Sequence, residues 1–216
     1  MKRHIGITGT IGSGKSTVGE ILRHRGLPVL DADACVHMLY RDCTALREKL
    51  ATAFGPECLT TDGVNRKFFA ELIFNDGSAR ERLESIVYPY LTDAVRFFFA
   101  ANPGEAFLEA ALLHRIPEVV KLLDLVWLVD APAEVRLERL QQRGLSREDA
   151  ERRIETQGDI AALWAGCGTP VVKIENAGSL DQLESLIRHS GLEPESGASA
   201  NGSSTKSKMT SAKSRG

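Results

Sequence analysis

The sequence predicts an α/β fold in which a parallel five-stranded sheet is flanked by helices. Three observations point there. Short apolar runs alternate along the chain with segments of helical periodicity, the pattern of βαβ units. One run, Leu125-Val126-Trp127-Leu128-Val129-Asp130, is apolar at nearly every position, as a strand buried on both faces must be. A glycine-rich turn separates the first run from the first helical segment, the usual geometry for a loop between a strand and a helix N-terminus.

The elements follow in order. His4–Thr8 is the first strand, and a helix runs from the glycine-rich turn to about residue 24. Pro28–Asp31 is the second strand and Ala106–Glu109 the third. Leu125–Asp130 is the fourth, Val171–Ile174 the fifth, and a closing helix covers about 179–190. More than seventy residues separate the second and third strands, far more than one crossover needs. Within them Leu83, Ile86, Val87, Tyr90, Leu91, Ala94, Val95 and Phe98 recur at steps of three and four. That spacing predicts a long amphipathic helix, kinked at Pro89, within a helical insertion at about 56–105 that covers one sheet edge.

Composition bounds the function. The 216 residues are 43% hydrophobic and 26% charged, which suits one soluble domain with its own core. Four of the 27 basic and two of the 29 acidic residues fall in 193–216, leaving residues 1–192 with a net charge of −4. A broad nucleic-acid surface is therefore not expected. No apolar run approaches eighteen residues, so no membrane partner is expected either. The opening Met1-Lys2-Arg3-His4 leads directly into the glycine-rich segment, without the apolar core of a signal peptide. Cys35, Cys43, Cys58 and Cys167 form no CxxC pair and no metal spacing. They read as reduced thiols of a cytoplasmic protein. From Glu193 the chain is rich in Ser, Gly, Ala and Lys, with Met209 its sole large apolar residue. Residues 193–216 are expected to form a disordered low-complexity tail.

Gly9-Thr10-Ile11-Gly12-Ser13-Gly14-Lys15-Ser16 fits G-x-x-x-x-G-K-[ST], the P-loop. Each part has a task. The glycines let successive N–H groups turn inward toward phosphate oxygens, and the following helix aims its positive end at the same place. Lys15 reaches the β- and γ-phosphates, and the Ser16 hydroxyl ligates Mg²⁺. The chain therefore reads as a binder of ATP with Mg²⁺. A GTPase would need NKxD and DxxG, and neither string occurs.

Two further constellations lie near this cradle in the predicted topology. Asp31-Ala32-Asp33 follows the second strand. Strand alternation would place both carboxylates on one side, suited to taking a proton from an attacking hydroxyl or to supporting hydrated Mg²⁺. The alternative is a pair of helix-capping aspartates. Arg136, Arg139 and Arg143 repeat at spacings of three and four, a local positive cluster suited to phosphoryl oxygens; a solvated basic face is the alternative. Gly144 then offers a hinge, and Ser146 with Asp149 a capping box for a short helix. That is the makings of a lid, spanning about 139–168, which keeps water from a reactive phosphoryl group.

Taken together, GTIGSGKST, LDAD, AFG at 53–55, DGVNRKFFAELIF at 62–74, VYP at 87–89, the arginine-rich stretch and the closing ENAGSLDQL resemble the dephospho-CoA kinase family. The resemblance spans most of residues 4–183. It implies a P-loop kinase of the nucleoside-monophosphate kinase type that phosphorylates the ribose 3′-hydroxyl of dephospho-CoA with ATP and Mg²⁺, the final step of coenzyme A synthesis. A monomer or weak homo-oligomer is expected. By position, Asp33 is then the base, with Lys15 and Arg139 as further catalytic residues. Gly12, Ser13, Gly14, Lys15, Ser16, Thr17, Arg143 and Asn176 hold the nucleotide, with Ser16 on the metal. Thr8, Asp31, Asp33 and Arg66 serve the acceptor. The chain departs from the family pattern at Tyr88, where His is usual, at Ala111–Arg115, where a PLLFE-like string is usual, and at 158–164, where basic residues are usual. Two other readings stand beside this one: another small-molecule P-loop kinase, though the shikimate type lacks its Gly-Gly pair here, and a nucleotide-binding regulator without turnover.

Overall fold

A computed structural model describes residues 3–158, 160–164 and 167–190; the expected tail at 193–216 lies outside the described residues. Five parallel strands form the sheet: β1 (Arg3–Gly9), β2 (Val29–Asp31), β5 (Glu105–Glu109), β6 (Leu125–Asp130) and β7 (Val171–Glu175). Their order is β2-β5-β1-β6-β7, so the glycine-rich turn leaves the central strand. The predicted strands are all present to within a residue or two.

Alternation along the strands feeds two cores, one on each face. Ile5, Ile7, Phe107, Trp127 and Val129 pack on α1 (Lys15–His24) and α10 (Leu180–Ser190). Ala106, Leu108, Val126 and Leu128 face the other way, onto Leu91, Val95 and Phe99 of the long helix. Gly6 lies on that second face, where a Cβ would meet Leu113 and Leu123 at 2.7 Å.

The long crossover between β2 and β5 holds α2 (Ala32–Asp42), α3 (Thr44–Phe54), a small antiparallel hairpin of β3 (Leu59–Thr60) and β4 (Gly63–Val64), α4 (Arg66–Asn75) and α5 (Gly77–Ala101). The hairpin was not visible to sequence reasoning, since two residues per strand carry no periodicity. The predicted amphipathic helix is α5, and Pro89 lies inside its 25 residues. Its buried stripe, Leu83, Val87, Leu91, Val95 and Phe99, steps by four. The first two residues join a separate core with Leu46, Leu50 and Phe69, and the last three join the sheet core. One helix thus fixes the crossover helices to the sheet.

A short helix, α6 (Pro117–Val120), precedes β6, and beyond β6 come α7 (Ala133–Gln142), α8 (Arg147–Gln157) and α9 (Ile160–Trp164). Ser146 caps α8 as expected: its Oγ accepts from the Asp149 N–H at 3.1 Å and donates to the Asp149 carboxylate at 2.9 Å. Gly144 precedes it at φ +90°, a conformation that favours glycine.

One expectation about local geometry is corrected. Asp31 and Asp33 do not alternate along a strand. The strand ends at Asp31, which is the N-cap of α2, accepting from the N–H groups of Asp33 and Ala34 at 2.9 and 3.0 Å. Asp33 lies in the first helical turn. Two N–H groups without helical partners are satisfied more cheaply by capping than by extending a strand past its neighbour.

Candidate active site

The P-loop runs from β1 into α1 at the carboxyl end of the sheet, where open α/β folds place their ligands. Its curvature depends on two glycines. Gly12 and Gly14 have φ of +78° and +93°. A Cβ on Gly14 would stand 2.2 Å from the Asn176 amide, and one on Gly12 2.9 Å from the Arg136 carbonyl.

Two adjoining cavities meet here. One of about 250 Å³ is lined by Ile11, Gly12, Lys15, Ser16, Arg143 and Gln157. The other, about 320 Å³, is lined by Gly14, Thr17, Arg139, Arg143, Asn176 and Leu180. Gly14 and Arg143 border both. The predicted nucleotide residues are therefore brought together: a phosphate cradle beside a roomier compartment at the N-terminus of α10. Ser13 is fully buried, and among the described residues its Oγ has no hydrogen-bond partner.

Lys15 does not point into empty space. Its Nζ donates to Glu109 Oε1 at 2.8 Å, and Glu109, at the end of β5, is only 2% exposed. Arg23 lies 3.4 Å from the other carboxylate oxygen. Glu109 was read as the last residue of a strand and nothing more; its signal is a lone acid closing an otherwise apolar run. Asp130 closes β6 in the same way, accepting from Thr10 Oγ at 3.1 Å and pairing with Lys173 at 3.0 Å. Burial pushes its carboxyl up, but hydrogen bonds from Lys173, the Ala131 N–H and Thr10 outweigh that and hold its pKa below the ordinary carboxylate range.

Arg139, expected against the transferred phosphoryl group, has its donors engaged elsewhere in this structure. One nitrogen donates to the carbonyls of Gly12 and Ser13 at 3.4 and 3.1 Å, the other to Asn176 O at 3.1 Å and Oδ1 at 3.4 Å. Asn176, nearly buried, returns a bond from Nδ2 to Ser13 O at 2.8 Å. Arginine and asparagine together hold the carbonyls of Gly12 and Ser13 on the side of the loop that faces them.

The acceptor candidates are dispersed. Thr8 is fully buried beneath the cradle and donates to the Ala111 carbonyl at 3.3 Å. Arg66 opens α4, exposed, beside Tyr40, whose phenol burial pushes up to about 12. Asp33 is exposed at the start of α2. The departures from the family pattern lie in contact with one another or with close neighbours. Arg115 pairs with Glu84 at 3.2 Å, and burial with the nearby Glu84 carboxylate pushes the Tyr88 phenol well up. His114 meets Trp164 edge-on, ring centroids 6.5 Å apart.

The oxygen donors at the carboxyl end of the sheet are hard: Ser16 lines the cradle, Asp31 and Glu109 end the paired strands β2 and β5, and Asp33 lies in the helical turn after β2. No cluster of three or more His, Cys, Asp or Glu side chains forms a metal cage among the described residues. Hard oxygen donors of this kind suit a hard cation such as Mg²⁺. No helix among the described residues is long and apolar enough to cross a membrane.

The comparisons with known proteins agree with this geometry. The family model for dephospho-CoA kinase matches residues 3–179. A dephospho-CoA kinase of Aquifex aeolicus is 39% identical over 192 residues, covering 87% of this chain and 95% of its own. One from Parasynechococcus marenigrum is 34% identical over 200 residues, covering 89% and 96%. A crystal structure from Thermus thermophilus superposes with a TM-score of 0.71 at 34% identity, covering 88% of this chain and 96% of that one. The chain belongs to the dephospho-CoA kinase family.

Proposed function

We propose that this protein transfers the terminal phosphoryl group of ATP to the ribose 3′-hydroxyl of dephospho-CoA, giving coenzyme A and ADP. One observation carries the reading beyond family membership. Strand register sets Glu109 beside both Ile7 and Asp31, so the P-loop and the Asp31–Asp33 segment both leave the carboxyl end of the sheet, on strands either side of β5. A donor cradle and a carboxylate for the acceptor hydroxyl are thereby on the same side of the molecule.

Asp33, exposed in the first turn of α2, takes the 3′-hydroxyl proton as the phosphoryl group arrives. Lys15 leaves Glu109 to neutralise charge on the β- and γ-phosphates, and the Gly12–Thr17 N–H groups hold the oxygens. Arg143, bordering both cavities, is free to follow the phosphates. Arg139 acts through the loop it holds, as a positioning residue, and Asn176 and Thr17 border the compartment for the base. Asp31 fixes Asp33 by capping, and Arg66 and Thr8 serve the acceptor side. Ser16 would hold Mg²⁺, which when bound would supply positive charge to offset the charge developing on the phosphates. The crossover helices at about 56–105 form the acceptor insertion, and residues 139–168 the lid. A cytoplasmic location, with which four free thiols are consistent, and a monomer or weak homo-oligomer belong to the same reading.

Steady-state ADP release with and without dephospho-CoA tests it. Acceptor-dependent release, with one phosphate added at the 3′ position, is expected. Release that ignores dephospho-CoA would overturn the assignment.

A further inference from the structure

The third N–H group of the P-loop is already occupied. Gln157, the last residue of α8, reaches across the cradle, and its Oε1 accepts from the Ile11 N–H at 2.6 Å. Both residues line the smaller cavity and neither borders the larger one beside Asn176. A nucleotide with its base in the larger compartment would therefore bring its last phosphate, furthest from the base, toward Ile11. The amide oxygen of Gln157 stands where an oxygen of that phosphate would accept.

We propose that Gln157 is a positioning residue that reports the terminal phosphate to the lid: a nucleoside triphosphate displaces its amide from Ile11, and a diphosphate does not. This rests on the reading of the cradle as the ATP site. The amide is neutral, so it satisfies the N–H without holding it as strongly as a charged phosphate oxygen can. The helix that carries it lies between two glycines of positive φ, Gly144 at +90° and Gly158 at +64°. Nothing approaches within 4 Å of a Cβ built on either, so neither glycine is wedged against a neighbour. Ser146 with Asp149 caps its start and keeps it one rigid unit. Displacing this side chain thus frees the C-terminal end of α8 from the loop, while ADP leaves the contact in place.

Direct titration of ATP and ADP into the full chain and into Gln157→Ala tests this. Loss of the competing acceptor should tighten ATP by about three- to tenfold, the worth of one net hydrogen bond, and leave ADP within about twofold. Gln157→Glu, which keeps an acceptor for Ile11 but adds a charge that repels phosphate, should weaken ATP relative to ADP. An unchanged ratio of ATP to ADP affinity in Gln157→Ala, with normal phosphorylation of dephospho-CoA, overturns this inference alone. Absence of ATP binding to the unaltered protein would overturn the functional reading as well.

Discussion

Lys15 and Glu109 form a 2.8 Å ion pair in which the glutamate side chain is only 3% exposed and the lysine side chain 15%. A buried acid this close to the P-loop lysine does two things at once. It keeps the ammonium at the cradle before substrate arrives, and it depends on that ammonium for its own solvation. Gly19 makes room for it, since a Cβ there would lie 2.5 Å from Glu109 Oε2.

Lys15→Ala should therefore cost both activity and stability. Turnover should fall by at least ~10²-fold, because the lysine faces transferring charge. Stability should fall by about 1–3 kcal/mol, because a buried carboxylate loses its nearest cation. Adding Glu109→Gln to Lys15→Ala should recover most of the stability and none of the turnover. Thermal melts and saturated rates on the single and double variants separate the two effects. Full stability in Lys15→Ala would mean that Arg23 alone suffices for Glu109.

How much of this was legible beforehand follows from the physics of each signal. Strands and the phosphate loop were readable because backbone periodicity and glycine spacing are local. The stripe of α5 was readable for the same reason. The Asp31–Asp33 geometry was misread because a strand end and a helix N-cap share the same residue, and only pairing with β5 shows where the strand stops. Glu109, Asp130 and Gln157 were missed because each acquires its role from a partner 94 to 146 positions away. A single polar residue ending an apolar run is a weak trace of such a contact.

Arg139 holds the loop from outside, so its loss should register first in nucleotide binding. Lysine cannot reproduce a fork that spans Gly12, Ser13 and Asn176. Arg139→Lys should raise the KM for ATP by about tenfold or more, with a smaller change in saturated turnover. Asn176→Ala should act in the same direction, since both contact Ser13 O. Equal losses in kcat and kcat/KM, with ATP binding unchanged, would instead place Arg139 on the transition state.

His114 supplies a pH dependence. Burial lowers its pKa below the ordinary value of 6.5, and the neighbouring Arg115 adds to that. The folded state thus favours the neutral ring. Its contribution to stability is complete above pH 6.5 and is lost as pH falls through the lowered value. The melting temperature of the unaltered protein should drop between pH 7.5 and 5.5 by more than that of His114→Phe, whose ring keeps the contact with Trp164. Parallel drops in the two proteins would show that other groups set the acid response.

Asp33 carries the sharpest test. A ribose hydroxyl is a poor nucleophile near neutral pH, and a carboxylate within reach assists its deprotonation as the phosphoryl group arrives. Asp33→Asn keeps the size and the helical first turn but cannot accept the proton, so kcat should fall by ~10²-fold or more. The KM for ATP should move little, because the nucleotide rests on the P-loop. Asp31 provides the control, since it holds the turn that presents Asp33. Asparagine caps a helix about as well as aspartate, so Asp31→Asn should keep the stability of the fold, whereas Asp31→Ala should lose about 1 kcal/mol. If Asp31→Asn abolishes turnover while Asp33→Asn leaves it intact, the base is the capping residue itself. If Asp33→Asn weakens only ATP or Mg²⁺ binding and saturated turnover is unchanged, Asp33 supports the metal and does not take the proton.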